Sequence, residues 1–407
     1  MVQAHVEPVE PVEQVGPLGP IGPAESFELS VGVLGRSLKE NEHRLPLHPR
    51  HFDRIPAALR EGIFVEHGYG ERFGVADDEL ERYVGGFRSR AQLVQECDVV
   101  LAPKPLLADI VGLRVGQALW GWPHCVQDTQ LTQVAIDREL TLIAFEAMNH
   151  WNRDGSFNLH VFHRNNELAG YCSVLHAMQV AGITGAYGPH RRAVVIGFGA
   201  TARGAVTALN ALCIGEVDVL THRQRAAVAA PIHTANIVHF DTDGSPGRVS
   251  HVATQHGPVV LGEFLTGHDV VVNCVLQDTD APLLFMTEDD LKRMAPGSII
   301  IDVSCDEGMG FSWARPTSFA EPAFTVGDHV LYYAVDHSPS YLWDAATWEI
   351  SEALLPFLPT VMGGPAAWDR SPTIRRAIEI RGGVVQNPAI LSFQGRSPRH
   401  PHLPIAT

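Results

Sequence analysis

The clearest fold signal in the chain is the segment Ala193-Val-Val-Ile-Gly197-Phe-Gly199-Ala-Thr-Ala202-Arg-Gly204. A short run of apolar, mostly β-branched residues leads directly into glycines, and a helical pattern continues from there to Leu212. This order of buried strand, glycine turn and helix is what a dinucleotide-binding βαβ unit requires. The segment therefore predicts a parallel α/β sheet with a nucleotide at the end of this strand.

Each small residue of the turn has a physical role in that interpretation. Gly197 allows the tight turn, Gly199 lets the backbone approach a pyrophosphate closely, and Ala202 is small enough for the helix to pack on the strand. Ala200 and Thr201 lie at the helix start, where unpaired N–H groups and the positive end of the helix dipole favour phosphate. We therefore expect all five residues to contact the cofactor.

The next strand indicates which nicotinamide cofactor is bound. NAD enzymes usually place an acid about 20 residues after the turn, where it binds the ribose 2′-hydroxyl. Here the strand runs into Thr221, His222 and Arg223, with no carboxylate near the end of the strand after Asp218. A guanidinium with a neighbouring hydroxyl would hold a 2′-phosphate instead. The sequence thus favours NADPH over NADH.

Apolar runs that alternate with amphipathic segments extend the α/β pattern over most of the chain. We predict two Rossmann-like, doubly wound domains with a cleft between them, the second inserted in the first. Residues 29–164 and 341–395 form the substrate domain and residues 165–340 the dinucleotide-binding domain, between a disordered tail (1–28) and a flexible tail (396–407).

The predicted strands are Leu29–Gly35, Gly62–His67, Asp98–Pro103, Leu140–Phe145, Ala193–Gly197, Val217–Thr221, Asp269–Val275, Ser298–Val303 and His329–Val335. The predicted helices are Pro49–Arg60, Val126–Arg138, Asn165–Ala181 and Ala345–Met362. Val275 and Leu276, at the end of one of these strands, complete the expected cofactor contacts.

The composition argues against a partner that carries many negative charges. The 407 residues are 45% hydrophobic, and 46 acidic residues outnumber 30 basic ones, for a formal net charge of -16. Binding to nucleic acid or an anionic membrane calls for a basic surface instead.

The six cysteines are scattered without metal-binding spacing, which is typical of a reduced, cytoplasmic protein. We find no signal peptide and no run of about 18 apolar residues, so we expect no membrane span.

Four further segments carry candidate catalytic residues. Arg44 follows the first strand, and its guanidinium could bind the carboxylate of a keto acid in a bidentate manner. Lys104, held between two prolines at a strand end, could polarise a ketone oxygen or neutralise a carboxylate. His124 could transfer protons near neutral pH, and Asp302 and Asp306 come at the end of another strand. Each could instead form a structural ion pair or bind loop amides, and the residues alone leave both possibilities open.

Taken together, these segments resemble the alanine dehydrogenase family and its nicotinamide nucleotide transhydrogenase relatives over most of the chain. The positions that match the family's patterns are Lys39, Glu42, Arg44, Lys104, His124, Asp302, Asp306, Gly308 and the triplet Arg315–Thr317, with Glu307 in place of glutamine. Within this superfamily the sequence more closely resembles N5-(carboxyethyl)ornithine synthase, which joins pyruvate to the side-chain amine of ornithine using NADPH. The segments that carry this closer resemblance are Thr141–Trp151, Asn165–Cys172, Asn273–Asp280 and Val335–Ser340.

The resemblance implies a mechanism and its residues. Arg44 and Lys104 would fix the carboxylate and carbonyl of a 2-keto acid, and His124 would move the protons that turn a carbinolamine into an imine. Asp306 would position the amine or the released water, and NADPH would reduce the imine while domain closure excludes water.

The identity of the amine is left open. Asp278, Asp336 and Glu146 are candidates for binding a second ammonium group, and each could equally be a loop or capping carboxylate. An amino-acid dehydrogenase that uses ammonia and a saccharopine-type enzyme remain alternatives. A non-catalytic dinucleotide-binding protein is a further alternative, which the presence of all four candidate catalytic residues argues against. The family resemblance also implies a homo-oligomer.

Overall fold

The computed structural model describes residues 27–222, 232, 234–242, 249–277 and 282–405. Most of the tail predicted for residues 1–28 lies outside this range. Its last two residues, Phe27 and Glu28, belong to the folded part, since the Glu28 amide donates to the Met362 carbonyl at 2.9 Å.

The first part of the described chain alternates short strands and helices. Its strands are β1 (Val31–Val33), β2 (Ile63–Glu66), β3 (Gly86–Arg88), β4 (Val99–Ala102), β5 (Ala118–Gly121), β6 (Thr141–Ala144), β7 (Asn149–Trp151) and β8 (Phe157–His160). Its α-helices are α1 (Ala57–Arg60), α2 (Asp77–Leu80), α3 (Arg90–Glu96), α4 (Leu107–Val111), α5 (Thr129–Asp137) and α6 (His163–Ala181). Short 3-10 helices occupy Pro49–Arg54, Glu71–Phe73, Glu81–Tyr83 and Phe145–Ala147.

The middle part contains the glycine turn and a second series of strands. These strands are β9 (Arg192–Ile196), β10 (Glu216–Thr221), β11 (Asn236–Thr242), β12 (Ser250–Thr254), β13 (Gly257–Val260), β14 (Val270–Asn273), β15 (Leu284–Met286), β16 (Ile299–Asp302), β17 (Gly310–Phe311), β18 (Ala323–Val326) and β19 (Val330–Tyr333). The helices are α7 (Ala200–Ala211), α8 (Leu261–Thr266) and α9 (Glu288–Leu291).

The last part is mainly helical and ends with two strands. Its elements are the 3-10 helices Ser338–Leu342 and Leu355–Phe357, the helices α10 (Trp343–Leu354), α11 (Leu358–Met362), α12 (Gly364–Arg370), α13 (Pro372–Ala377) and α14 (Pro388–Phe393), and the strands β20 (Ile378–Arg381) and β21 (Val384–Val385). None of the helices in the described ranges has the length and apolar character that a membrane span needs.

The strands form two large sheets. The first has the order β21-β20-β6-β5-β4-β1-β2-β3 and the second the order β13-β12-β11-β10-β9-β14-β16-β19-β18. Pairing is parallel from β6 to β3 and from β11 to β19, while β20 joins β6 in the antiparallel sense. The chain thus returns to the first sheet after completing the second. The predicted fold class, two Rossmann-like sheets with the second inserted in the first, is confirmed, whereas the exact domain limits stay a prediction.

Both faces of each sheet are covered by apolar side chains. In β9, Ala193 and Val195 belong to one core cluster while Val194 and Ile196 belong to the cluster on the other face. A strand buried on both faces has no polar alternation. The strands predicted from continuous apolar runs are accordingly all present.

The predicted helices differ from the observed ones where proline or a capping side chain intervenes. The helix predicted for Pro49–Arg60 is a 3-10 helix followed by α1, because Pro56 lacks the N–H that a continuous helix would use. The helix predicted from Val126 begins at Thr129, since the Asp128 carboxylate accepts the Leu131 amide at 2.9 Å and caps it.

The C-terminal segment differs from the flexible tail predicted for residues 396–407. Arg396 and His402 are buried, and the Arg396 guanidinium donates to Gln394 at 2.6 Å and to Gln133 at 2.7 Å. The His402 ring accepts the amide of Val385 at 3.1 Å. A buried cation is stable only when its donors are satisfied, so these contacts explain why residues 396–405 pack against the first domain.

Helices α6 and α7 approach each other closely through two glycines. A Cβ added at Gly170 would lie 1.9 Å from the Thr201 carbonyl oxygen, and one added at Gly204 would lie 1.8 Å from that of Glu167. Neither position could hold a side chain without moving a helix. This packing fixes the start of α7, which follows the glycine turn, against the long helix that enters the second domain.

Candidate active site

Lys104 and His124 come together at the ends of neighbouring parallel strands. Lys104 follows β4 and His124 follows β5, and the Lys104 Nζ atom donates to His124 Nε2 at 2.9 Å. Burial and the Lys104 charge lower the pKa of His124 well below its ordinary value, and burial also lowers the pKa of Lys104. The His124 imidazole is therefore neutral at pH 7 and, as the acceptor at Nε2, carries its own proton on Nδ1. Such a pair can polarise a carbonyl oxygen and accept a proton.

The backbone of His124 is held in an uncommon conformation. Its φ of 50° lies in the left-handed region, which non-glycine residues adopt rarely. The His124 amide donates to Glu146 Oε1 at 2.8 Å, which ties this turn to the segment after β6. Glu146, considered above as a ligand for an amine, is thus engaged by the backbone of His124.

Arg44 is buried next to this pair but is already bound to a carboxylate. Its Nε donates to Glu42 Oε1 at 2.8 Å, its Nη2 to Glu42 Oε2, and its Nη1 to Asn165 Oδ1 at 3.4 Å. Burial raises the pKa of Glu42, but the charge and hydrogen bonds of Arg44 outweigh this effect and lower it overall. Glu42 occupies the Nε–Nη2 edge of the guanidinium, so a substrate carboxylate would have to bind at the other end, to Nη1 and the second hydrogen of Nη2. The bidentate contact expected for Arg44 stays a prediction.

An ion pair between the two domains was missed by the sequence reasoning. The Lys39 ammonium contacts the Asp336 carboxylate, and His337 Nδ1 bonds the same carboxylate at 2.6 Å. Burial raises the pKa of Asp336, yet the His337 hydrogen bond and the charges of Lys104 and Lys39 lower it strongly overall. Asp336 is thus bound by groups of the protein rather than left free for a substrate amine. Lys39 is one of the positions that match the family's patterns, but the resemblance did not identify its partner.

The two carboxylates after β16 have different environments. Asp302 is fully buried and accepts from Asn273 at 2.9 Å, Tyr332 at 2.6 Å and the Cys305 amide at 3.1 Å. Burial raises the pKa of Asp302 to about 6. Asp306 is half-buried, and its carboxylate has no hydrogen-bond or ion-pair partner among the residues that the structure describes. Asp302 is therefore structural, while Asp306 is free to bind a ligand.

The glycine turn has the geometry that a pyrophosphate needs. Gly197 has a φ of 111°, and a Cβ there would lie 3.1 Å from the Cys274 carbonyl oxygen. No atom lies within 4 Å of a Cβ built on Gly199, the N-cap of α7, so space is open at the helix start. Ala202 is buried against the sheet, as expected. The turn thus fits a dinucleotide phosphate in shape and in its unpaired N–H groups.

The remaining predicted cofactor residues lie at strand ends around the turn. Thr221, which ends β10, is buried, and the ring of the exposed His222 lies 3.8 Å from that of Phe240. Val275 follows β14 and is half-buried, while Leu276 is exposed. Arg223 and Asp278, which were also predicted to contact ligands, lie outside the residues that the structure describes.

Asp218, the acid nearest to the end of β10, is engaged elsewhere. It accepts from His268 Nε2 at 3.0 Å and from Asn236 at 2.8 Å. The end of β10 thus carries a threonine and a histidine rather than a carboxylate.

Comparisons with known proteins identify two matching family models. The model described as Alanine dehydrogenase/PNT, N-terminal domain, matches residues 34–165, and the corresponding C-terminal domain model matches residues 168–388. An alanine dehydrogenase of Halomonas elongata is 28% identical over 338 residues, which cover 79% of this chain and 85% of that protein. An alanine dehydrogenase of Mycobacterium tuberculosis is 24% identical over 375 residues, covering 88% of this chain and 95% of that protein.

Solved structures show the same fold at low sequence identity. An L-alanine dehydrogenase structure has a TM-score of 0.70 at 19% identity and covers 90% of this chain and 99% of its own. A transhydrogenase from Sinorhizobium meliloti has a TM-score of 0.65 at 20% identity, with 88% of this chain and 99% of its own covered.

Proposed function

Because the chain belongs to the alanine dehydrogenase/PNT family, we propose that it is an oxidoreductase that uses NADPH to reduce an imine. The imine forms between a pyruvate-like 2-keto acid and an amino-acid amine such as that of ornithine. The product is an N-(carboxyalkyl)amino acid, as in N5-(carboxyethyl)ornithine synthase. The observation that carries this proposal is the contact between Lys104 and a neutral His124 at adjacent strand ends.

The glycine turn supports a nicotinamide dinucleotide. The open space at Gly199 and the free start of α7 fit its pyrophosphate. The lack of a carboxylate at Thr221 and His222 supports NADPH, whose 2′-phosphate Arg223 would bind. When bound, this cofactor supplies the hydride that reduces the imine carbon.

The side chains of the first domain carry the proton transfers. Lys104 donates a hydrogen bond to the keto oxygen while the amine nitrogen attacks the carbonyl carbon and a C–N bond forms. His124 accepts a proton from the attacking nitrogen and passes it to the former carbonyl oxygen, which gives the neutral carbinolamine. It then moves the second nitrogen proton to the same oxygen, so that the C–O bond breaks, water leaves and the imine forms. A proton from solvent on the imine nitrogen completes the reduced amine.

Two charged residues orient the substrates in this scheme. Arg44 contacts the keto-acid carboxylate through Nη1 and the second hydrogen of Nη2, the end of its guanidinium that Glu42 does not occupy. Asp306 binds the incoming amine or the departing water, since its carboxylate has no other partner among the described residues. Asp336 and Glu146 are less suited to this task, because Lys39 and the His124 amide already engage them.

An amino-acid dehydrogenase that uses ammonia is the second candidate. It is favoured by the relatives from Halomonas elongata and Mycobacterium tuberculosis, both of which are named alanine dehydrogenase. The two candidates share the keto acid, the cofactor and the Lys104–His124 pair, and they differ only in the amine.

A substrate panel separates the two candidates. Oxidation of NADPH is followed with pyruvate and, in turn, ammonia, ornithine, lysine and arginine, with NADH in parallel and a control without keto acid. We expect turnover with an amino acid to exceed turnover with ammonia, and NADPH to be preferred. Turnover with ammonia at least as fast as with every amino acid would exclude the condensation.

A further inference from the structure

A buried histidine lies in the segment that connects the second sheet to α10 (residues 334–342, the connecting segment). The side chain of His337 is 2% exposed, and the ring of Phe319 packs on it edge to face at 5.0 Å. Its Nδ1 atom lies 2.6 Å from Asp336 Oδ1, and its Nε2 atom lies 2.8 Å from the carbonyl oxygen of Glu40. Glu40 belongs to the loop after β1, so the imidazole joins the connecting segment to the first domain.

Both groups that contact this ring are hydrogen-bond acceptors. Burial raises the pKa of Asp336, but the hydrogen bond from the imidazole lowers it, and the charges of Lys104 and Lys39 lower it further. The carboxylate is therefore ionised and can only accept, as can the Glu40 carbonyl. A neutral imidazole has one N–H group and would point a nitrogen lone pair at one of these oxygens. Only an imidazolium, which has two N–H groups, satisfies both contacts.

Another buried histidine shows the ordinary arrangement. His402 Nε2 accepts the amide of Val385 at 3.1 Å, and Nδ1 lies 3.0 Å from the carbonyl oxygen of Ser397. One nitrogen of this ring accepts and the other donates, so a neutral imidazole fits. His402 is thus an internal reference for a buried histidine with a single ring proton.

We propose that His337 is a positioning residue that acts as a doubly protonated bridge, because its two N–H groups hold the Asp336 carboxylate and the Glu40 carbonyl at the same time. The other oxygen of Asp336 contacts the Lys39 ammonium, and the loop after β1 continues to the buried Arg44. The charged ring therefore fixes both the carboxylate and the loop that carries Arg44. This bridge consists of contacts within the chain and depends on no particular keto acid or amine.

The surroundings of the ring contain both signs of charge. Burial raises the pKa of Glu42, but Arg44 lowers it overall, so Glu42, like Asp336, is negative and favours a charged ring. Burial lowers the pKa of His43 on the same loop, so the His43 imidazole is neutral at pH 7. The cations around these groups do not bond the His337 ring within the part of the chain that the structure describes; they are Lys39, Arg44, Arg72 and Lys104.

Loss of one ring proton at high pH would break one of the two contacts. The remaining proton stays on Nδ1 beside the charged Asp336, so the Nε2 lone pair then faces the Glu40 carbonyl oxygen and repels it. The loop after β1 is left with the contact between Lys39 and Asp336 and with the Ser340 hydroxyl, which accepts the His43 amide at 2.9 Å. We therefore expect the attachment of this loop to weaken as the pH rises.

The first test is nitrogen-15 NMR of the histidine rings in the full-length protein at about pH 7.5, where an exposed histidine has lost one proton. His337→Asn identifies the resonances of His337. We expect both ring nitrogens of His337 to be protonated and Nε2 of His402 to be unprotonated. An unprotonated nitrogen on His337 overturns the inference, and this wild-type result holds whether or not the variants fold.

Two amide variants test the bridge itself, since each retains one donor. The amide of His337→Asn can still donate to Asp336, and the longer amide of His337→Gln can reach the Glu40 carbonyl. We expect the backbone amide of Ser340, which donates to the residue 337 carbonyl, to exchange at least about tenfold faster in both variants at pH 7. A hydrogen bond of a charged group has about this effect.

The pH dependence distinguishes a charged bridge from a merely structural one. The protection of the Ser340 amide, corrected for its intrinsic exchange rate, should fall at high pH in the wild type towards that of His337→Asn. Neither amide variant should show this fall. His43→Asn, which removes the neighbouring imidazole of the same loop, is the control and should retain it. Wild-type protection at pH 7 in either amide variant would mean that one N–H group suffices, which overturns the inference.

Discussion

At the scale of single residues, the proposed chemistry depends on a lysine and a neutral histidine that contact each other. Lys104 and His124 share a hydrogen bond of 2.9 Å in a site that also contains Arg44 and Lys39. Burial is the largest cause of the low pKa of His124, and the charge of Lys104 comes next. The proximity of positive groups therefore keeps the imidazole free to accept a proton.

This dependence predicts the effect of Lys104→Met. Removing the ammonium removes a charge that disfavours the imidazolium, so we expect the pKa of His124 to rise towards its ordinary value. The histidine resonance measured against pH reports the change without any turnover. Lys104→Arg retains the charge and serves as the matched control, and a His124 titration equally low in Lys104→Met and the wild type would contradict the assignment.

At the scale of secondary-structure elements, the close contact between α6 and α7 constrains the start of α7 at the glycine turn. An added Cβ at Gly204 meets the Glu167 carbonyl oxygen at 1.8 Å. A backbone oxygen cannot rotate away as a side chain can, so the helices must separate.

Gly204→Ala should therefore be destabilising. Overpacking of this kind costs about 1–3 kcal/mol, and we expect that loss in the free energy of unfolding from urea denaturation, together with weaker binding of NADPH. Gly215→Ala is the control, since no atom lies within 4 Å of a Cβ at that position. Equal stability of both variants and the wild type would show that α6 and α7 can move apart freely.

Elements buried on both faces were predictable from the sequence, and those with other environments were not. Strands such as β9 and β16 appear as continuous apolar runs because both sides face a core. The antiparallel hairpin of β7 and β8 is largely exposed along β8, so no such run marks it. The return of β20 to β6 is a pairing between distant segments, and no local pattern encodes it.

In the candidate site too, some features were predictable from the local sequence and others depend on tertiary packing. Residues at the ends of predicted strands, such as Lys104 and His124, could be named because parallel strands place them at one edge. The partner of Asp336 could not, because it comes from a distant element: Lys39 lies 297 residues from Asp336. Sequence patterns identify the groups at this edge, but tertiary packing decides which of them are free.

At the scale of the whole molecule, the Lys39–Asp336 ion pair connects the two domains. Additional contacts support it, since His337 Nε2 bonds the Glu40 carbonyl at 2.8 Å and the Ser340 hydroxyl donates to the Asn41 carbonyl at 2.6 Å. The loop after β1 and the loop after β19 therefore move together while these contacts last.

Lys39→Met should loosen this connection. We expect a larger radius of gyration in X-ray scattering without ligands and faster amide exchange in residues 336–340, because one partner of the interdomain pair is gone. Lys292→Met removes an exposed ion pair within the second domain, to Asp289, and should change neither measurement. Identical scattering and exchange in both variants would mean that the remaining contacts hold the domains on their own.

The late return of the chain to its first sheet also has a consequence for biosynthesis. The strands β9 to β19 follow one another along the chain, so the nucleotide-binding half can complete its sheet while the ribosome is still translating. The other half must wait, with the outer edge of β6 uncovered, until residues 378–385 have left the exit tunnel. Premature termination there would yield a polypeptide with one finished half and one aggregation-prone open edge.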